Sequence, residues 1–300
     1  MLKINTHRKS AREGKFFMPK ILDKQVFSPI IKLMVVEAPK VARRCQPGQF
    51  IILRIHEEGE RVPLTIADFD RQNGTITIVF QEAGKTTRQL GAMEVGDCVK
   101  DFAGPLGTPS HIENLGTVIC VGGGVGVAPV YPIARALKEA GNHVIGIMGS
   151  RNKELMFWED KMRDACSELF VTTDDGSYVR KGFVTDVLKE LIEKRGKEQI
   201  AMVLAIGPQP MMRACCRLTG NYGIKTIVSL NSLMVDGTGM CGCCRVTVGG
   251  QTRFVCVDGP EFDGHLVNFD ELALRNVFFH AEEQISMERF SSQCRCGGGH

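Results

Sequence analysis

Three hundred residues, 43% of them hydrophobic, are enough to bury the cores of two domains with a small appendage. A formal net charge of +3 gives no reason to expect nucleic acid, and no apolar run reaches the roughly 18 residues that span a bilayer. Twelve cysteines with no recognisable secretory leader point to a reducing, cytoplasmic setting.

Residues 1–17 form a basic, polar extension without apolar periodicity, set apart from the fold. From 18 to 108 the signals are short strands and turns. Ile30–Val36 and Gln49–Ile55 are apolar and β-branched, with Gln46-Pro47-Gly48 turning between them. Thr75–Phe80 alternates, and Glu94–Asp97 turns into a strand over Cys98–Phe102. This spacing predicts a small antiparallel barrel. Two of its segments look chemical. In Arg61-Val62-Pro63-Leu64-Thr65 the arginine suits a pyrophosphate and the threonine suits flavin N5; Val79, on the alternating strand, joins these candidate contacts. Gly84-Lys85-Thr86-Thr87 reads as a glycine turn opening a helix, whose free N–H groups and positive dipole end make a phosphate seat. A solvated Arg61 and an ordinary helix cap at Thr86 or Thr87 are the plain alternatives.

From 109 to 228 strands alternate with helices. Strands are predicted at Thr117–Val121, His143–Met148, Leu169–Thr173 and Ala201–Ile206. Helices are predicted at Pro129–Ala140, Glu154–Cys166, Val184–Lys194 and Pro210–Leu218. The pattern implies a parallel sheet with helices on both faces, which binds ligands past its strand ends. Gly122, Gly123, Gly124, Val125 and Gly126, followed by Pro129, allow a dinucleotide phosphate to approach a helix N-terminus. Val127 stands where G-x-G-x-x-G would have its third glycine. Gly207-Pro208, with Met211, makes a second close-approach turn. Strand two ends at Gly149-Ser150-Arg151 with no acid for a ribose 2′-OH. Arg151 beside Ser150 suits a 2′-phosphate, or is a loop arginine.

Residues 229–264 carry the most specific signal. Asp236-x4-Cys241-x2-Cys244, with Cys256 later, reproduces the plant-type [2Fe–2S] spacing with a carboxylate in the first place. Gly237, Gly239 and Gly242 let backbone amides approach the inorganic sulfides. A structural zinc and plain buried thiols are the alternatives; Cys243 reads as a non-ligand. A hairpin is expected over Arg245–Val248, Gly249-Gly250 and Thr252–Val257. Met234, Val235 and Met240 surround the ligands and suggest an interface. Residues 265–300 carry one amphipathic helix, about 270–285, and a tail whose Cys294 and Cys296 lack enough ligands for a metal site.

In this order the motifs resemble the ferredoxin-NADP reductase superfamily over roughly residues 20–260. The resemblance is closer still to its electron-transfer subunits with a C-terminal [2Fe–2S] module, as in class B dihydroorotate dehydrogenase. The matching residues are Pro63-Leu64-Thr65 for isoalloxazine contact, Gly84–Thr87 for the FAD pyrophosphate and Gly122–Pro129 for the nicotinamide nucleotide. Thr173-Asp174-Asp175-Gly176 and Gly207–Met211 also match. Asp236 narrows the resemblance to the small-subunit family of NADH-dependent reduced ferredoxin:NADP oxidoreductase, which is similar in holding its cluster with one Asp and three Cys.

That resemblance implies FAD, a [2Fe–2S] cluster and NAD(H), with NADP(H) the option that Arg151 raises. It implies no catalytic side chain beyond the cofactors. It further implies an electron-bifurcating heterodimer with a larger FAD- and [4Fe–4S]-containing subunit, through which ferredoxin and NADP(H) are reached. The alternatives are the orotate-linked subunit, which has cysteine at the Asp236 position, and a cluster-based redox sensor. One departure stands out: the superfamily's arginine three residues before the Ser/Thr is Val62 here, with Arg61 one place further back.

Overall fold

The computed structural model describes residues 17–296, with side chains through residue 292. The first sheet comprises β1 (Ile21–Val26), β2 (Ile31–Glu37), β3 (Phe50–Arg54), β4 (Val62–Asp70), β5 (Thr75–Gln81) and β6 (Asp101–Leu106). All are antiparallel, in the order β1-β2-β5-β4-β3-β6. Short helix α1 (Pro39–Ala42) and helix α2 (Lys85–Ala92) fill gaps between strands. The strand expected at Cys98–Phe102 starts at Asp101 instead. Cys98 and Val99 bond across to the chain before β1, where the Val99 amide donates to the Pro19 carbonyl at 2.9 Å, and so close the cylinder.

Side-chain period explains how the barrel meets its neighbour. On β2, Met34 and Val36 face the barrel core with Ile51, Ile76, Ile78 and Phe80, whereas Ile31 and Leu33 face outward. Those outward residues, with Val79 and Ala67, pack against Val118, Val127 and Ile133 of the second half. A strand buried on both faces reads as an unbroken apolar run, as Ile30-Ile31 and Leu33–Val36 do. Asp68 on β4 adds a polar tie, accepting from Arg135 at 3.0 Å and Lys161 at 3.3 Å.

The second sheet contains β7 (Thr117–Gly123), β8 (His143–Ser150), β9 (Glu168–Thr173), β10 (Met202–Ile206) and β11 (Thr226–Ser229). These five are parallel. Helices α3 (Val127–Glu139), α4 (Glu159–Ala165), α5 (Val184–Arg195) and α6 (Gln209–Gly220) connect them. The helix expected from Glu154 begins only at Glu159. Asn152 diverts the chain, its side-chain oxygen accepting from the Leu155 amide at 3.2 Å to close one tight turn. Trp158, at φ 60°, then packs with Phe27, Tyr131 and Phe157 before α4 starts.

The chain next forms the hairpin β12 (Arg245–Val248) and β13 (Gln251–Phe254), turned by Gly249 and Gly250 at φ 58° and 76°. The second strand was expected to run to Val257. It ends at Phe254, where Asp258 accepts the Phe254 amide at 2.6 Å and short helix α7 (Val255–Asp258) begins. β14 (Glu261–Asp263) then returns antiparallel to the free edge of β11. The single helix expected near 270–285 is two, α8 (Phe269–Asn276) and α9 (His280–Cys296). Arg275 donates to the Cys243 carbonyl at 3.1 Å and Asn276 to the Asn231 carbonyl at 3.0 Å. These bonds fix the end of α8 before the chain turns. No helix among the described residues is long and apolar enough to cross a membrane.

Candidate functional site

A cavity of about 1640 Å³ lies between the barrel and the C-terminal ends of the parallel strands. Its barrel wall includes Arg61, Pro63, Leu64 and Thr65 around β4, Val79 on β5, and Thr87 on α2. Its other wall includes Gly123–Gly126, Pro129, Ser150, Arg151, Asp174, Gly207, Pro208 and Met211. Residues from two distant stretches of sequence thus face one space, where a twisted parallel sheet binds ligands. Gly84, Lys85, Thr86, Gly122 and Asp175 stand outside that lining.

The glycines have different reasons for being glycine. A Cβ on Gly123 would lie 2.2 Å from the Met211 sulfur, and one on Gly126 would lie 2.2 Å from the Ile206 carbonyl oxygen. Those two let the turn after β7 pack on the turn after β10. Gly122 serves the start of α3, since its Cβ would crowd Val127 at 3.0 Å. Gly124 is the open one: it holds φ +55° with nothing within 4 Å of a Cβ, so ligand approach falls to this residue.

Gly84 caps α2, and no atom lies within 4 Å of its would-be Cβ. The Thr87 hydroxyl accepts from the Ala83 and Gly84 amides, each at 3.0 Å. Glu60, hidden from sequence reading in a charged loop, closes this corner. It accepts from the Thr86 hydroxyl at 2.6 Å and pairs with Lys85 at 3.4 Å. Burial raises the Glu60 carboxyl, but the Thr86 and Lys85 donors outweigh it and hold the group below the usual range. Arg54, also on the wall, is paired with Asp101 at 2.5 Å.

The nucleotide end differs from expectation. Strand two has no acid of its own, yet the register of β8 with β9 sets Ser150 against Thr173 and brings the next residues alongside. The Asp174 amide donates to the Ser150 carbonyl at 3.0 Å, and the Asp175 amide to the Arg151 carbonyl at 3.2 Å. Partial burial and the neighbouring Asp175 raise the Asp174 carboxyl above its usual range, while Arg151 pulls it back. Single-strand reading misses an acid supplied by the adjacent strand.

Leu230–Val235 form a third part of the wall, with Asn276 and Phe279. Ser232 Oγ and Asn276 Oδ1 are buried there without a hydrogen-bond partner in the protein. Buried polar atoms need partners, so this wall suits a ligand with a polar edge. Met234 is 6% exposed and belongs to the core, contrary to the expected interface role, whereas Met240 is 89% exposed.

The segment Asp236–Cys244 follows directly. Gly237, Gly239 and Gly242 hold φ of 75°, 83° and 65°. The loop packs on the barrel, because a Cβ on Gly237 would meet Ile52 Cδ1 at 2.6 Å. Ile52 is the cross-strand partner of Pro63, so the loop lies one strand from the cavity wall. The four candidate ligands fall into two pairs. The Asp236 carboxylate accepts the Cys241 amide at 2.8 Å, and Cys244 Sγ accepts the Cys256 amide at 3.4 Å. Burial, with the Cys244 thiol beside it, pushes the Cys256 thiol up to about 12, while the Gly239 amide opposes that shift. Among the described residues, no three His, Cys, Asp or Glu side chains converge closely enough to hold a single ion. A carboxylate and three thiols on one glycine-bearing loop and its neighbour nonetheless form a donor set that fits an iron–sulfur cluster. The Cys294 and Cys296 side chains and residues 1–16 lie outside the described residues.

Residues 231–268 match the iron–sulfur cluster binding domain of dihydroorotate dehydrogenase B, and residues 120–217 the oxidoreductase NAD-binding domain. The "dihydroorotate dehydrogenase B (NAD(+)), electron transfer subunit homolog" of Thermotoga maritima is 47% identical over 255 residues, 85% of this chain and 89% of that protein. This chain belongs to the family of dihydroorotate dehydrogenase B electron-transfer subunits and their homologues. An uncharacterized protein from the adh 3′ region of Clostridium beijerinckii is 51% identical over 292 residues, 94% of this chain and 98% of that one. A chain from the solved structure of NADH-dependent reduced ferredoxin-NADP oxidoreductase, described for its insights into flavin-based electron bifurcation, shares 44% identity. It superposes with a TM-score of 0.87 over 92% of this chain and 99% of its own.

Proposed function

We propose that this chain is the electron-transfer subunit of an electron-bifurcating NADH-dependent ferredoxin:NADP oxidoreductase, taking hydride from NAD(H) and passing single electrons to a larger FAD- and [4Fe–4S]-containing subunit. One observation carries the reading. A single cavity runs from the α2 turn, past Pro63–Thr65 and the strand ends, to the wall that continues into Asp236. FAD, when bound, exchanges hydride with nicotinamide and gives up electrons singly.

The chain's own residues bind and orient. The start of α2 at Gly84–Thr87, which reaches the cavity wall through Thr87, seats the flavin pyrophosphate at a helix N-terminus, with Arg61 on the same side of the cavity. Pro63, Leu64 and Val79 hold the isoalloxazine face, and Thr65 Oγ offers a hydrogen bond to N5. Ser232 and Asn276 satisfy their orphaned atoms on its polar edge. Gly124–Gly126 and Gly207–Met211 admit the nicotinamide nucleotide. Asp236, Cys241, Cys244 and Cys256 hold the cluster, which the plant-type spacing makes [2Fe–2S]. Ten thiols free of disulfides among the described residues suit a cytoplasmic setting.

The test is flavin, iron and acid-labile sulfide analysis of the native complex, with its visible spectrum. One FAD and two iron atoms per copy of this chain are expected beyond what the partner holds. Protein with neither flavin nor iron sinks the proposal. Kinship with dihydroorotate dehydrogenase B subunits supports a second reading, orotate-linked transfer. A co-purifying partner that oxidises dihydroorotate would establish it.

A further inference from the structure

α8 and α9 lie beyond both matched family stretches, which end at residues 217 and 268. Yet α9 does not trail away from the body of the protein. It returns to the barrel and packs along α2, where the Ser286 hydroxyl donates to Glu60 at 3.4 Å. Glu60 is the residue already tied to Thr86 and Lys85 at the start of α2.

Between α2 and α9 lies a second cavity of about 430 Å³. Lys85 and Gln89, one helical turn apart, form the α2 side; Ile285, Arg289 and Phe290 stand opposite. Glu282 and Ser286 line both this cavity and the large one. The small chamber is therefore a continuation of the large one, and it begins where the phosphate seat ends.

We infer that this chamber receives the adenosine end of the flavin, and that α9 clamps it. The inference rests on the flavin reading above. It fits in size, since small-ligand pockets start at roughly 300 Å³. It fits in chemistry as well. A purine has apolar faces and polar edges; Ile285 and Phe290 supply apolar surface, and the guanidinium of Arg289 is a planar partner for an aromatic ring. The Gln89 amide can both donate to and accept from a purine edge, and a carboxylate at the junction, Glu282, accepts from ribose hydroxyls. Lys85, at the entrance, meets the phosphates. An FMN molecule ends before this chamber, so α9 selects FAD over FMN.

The test uses the full-length chain in its native complex, stripped of flavin by dialysis against potassium bromide, then titrated with FAD and with FMN by flavin fluorescence. Phe290→Ala, Arg289→Ala and a chain ending at Phe279 are compared with wild type. Each variant should weaken FAD binding about tenfold or more, roughly 1.4 kcal/mol, while FMN affinity stays within about twofold. Unchanged FAD affinity in all three overturns the clamp. So does an equal loss of FAD and FMN affinity, which marks a general structural role for α9. Wild-type protein that binds neither flavin overturns the flavin reading and the clamp with it.

Discussion

The dinucleotide cavity and the cluster loop are neighbours built on opposite plans. The cavity wall is made of strand ends and helix starts whose positions are fixed by sheet register and by cores buried beneath them. The loop has no regular structure over Asp236–Cys244, and its candidate ligands are linked two by two through backbone amides. One site is shaped by the fold before a ligand arrives. In the other, on the proposed ligand assignment, a carboxylate and three thiolates on an irregular loop would be held by the cluster they bind, so cluster binding and loop order are expected to be coupled.

The sharpest break between the two comes from single thiols. Cys241→Ser should abolish bound iron and sulfide while leaving flavin content near wild type; Cys243→Ser should keep all three. A Cys243→Ser protein lacking iron would overturn the ligand assignment, and loss of flavin from Cys241→Ser would show that the sites are not independent.

A smaller effect is expected from Gly124→Val, which places a β-branched residue at φ +55° and fills open space. The strain lowers fold stability by about 1–3 kcal/mol, and the added side chain blocks approach to the turn, so KM for NADH should rise about tenfold, roughly 1.4 kcal/mol, with iron content unchanged. An unaltered KM would mean that the nucleotide enters elsewhere.

Asp174→Asn probes charge rather than shape. Removing the carboxylate leaves Arg151 less neutralised, so the NADPH-to-NADH ratio of kcat/KM should rise by about three- to tenfold, up to about 1.4 kcal/mol of discrimination. The pH dependence follows from the raised Asp174 pKa. Above that pKa the carboxylate repels a 2′-phosphate; as pH falls through it the group is neutral, and the wild-type ratio should climb toward that of the variant. A flat ratio in both experiments would remove Asp174 from specificity.

The mildest effect belongs to Met240, 89% exposed beside the ligands. Met240→Asp should weaken association with the partner subunit by about two- to threefold, below about 1 kcal/mol, as for an ordinary contact residue. NADH-to-dye reduction by this chain should persist, and undiminished association in sedimentation would place the interface elsewhere.

What sequence could reveal divides along the same line. Apolar, β-branched runs located β2 and β3, period-two alternation located β5, and strand–helix rhythm located β7 to β10, because each pattern reports burial. Pro63–Thr65 and the turns at Gly123–Gly126 and Gly207–Met211, singled out in the sequence by their glycines and prolines, do line the cavity, whereas Gly122 packs against Val127. Glu60 was not legible, because it acts through a contact with a separate segment, Thr86; Asp174 is marked in the sequence only by the Thr173–Gly176 match, and its place beside the end of β8 depends on strand register. The break between α8 and α9 was hidden for the same reason, as it depends on Arg275 and Asn276 reaching back to the cluster segment. The sequence groups Met234 with Val235 and Met240 by its place beside the candidate ligands, but the fold buries it while they stay exposed.

β11 and β14 pair antiparallel, with Ile227 opposite Asp263 and Ser229 opposite Glu261. Everything from Leu230 to Pro260, including the four candidate ligands, is therefore an excursion whose two ends leave and re-enter the sheet side by side. Such a loop is cinched at its neck and has no tether to swing on. With Gly237 also packed on Ile52 and Leu106 of the barrel, electron transfer between the dinucleotide cavity and the ligand loop is expected, under the proposed function, to run at a fixed distance, so that its rate should not change with solvent viscosity.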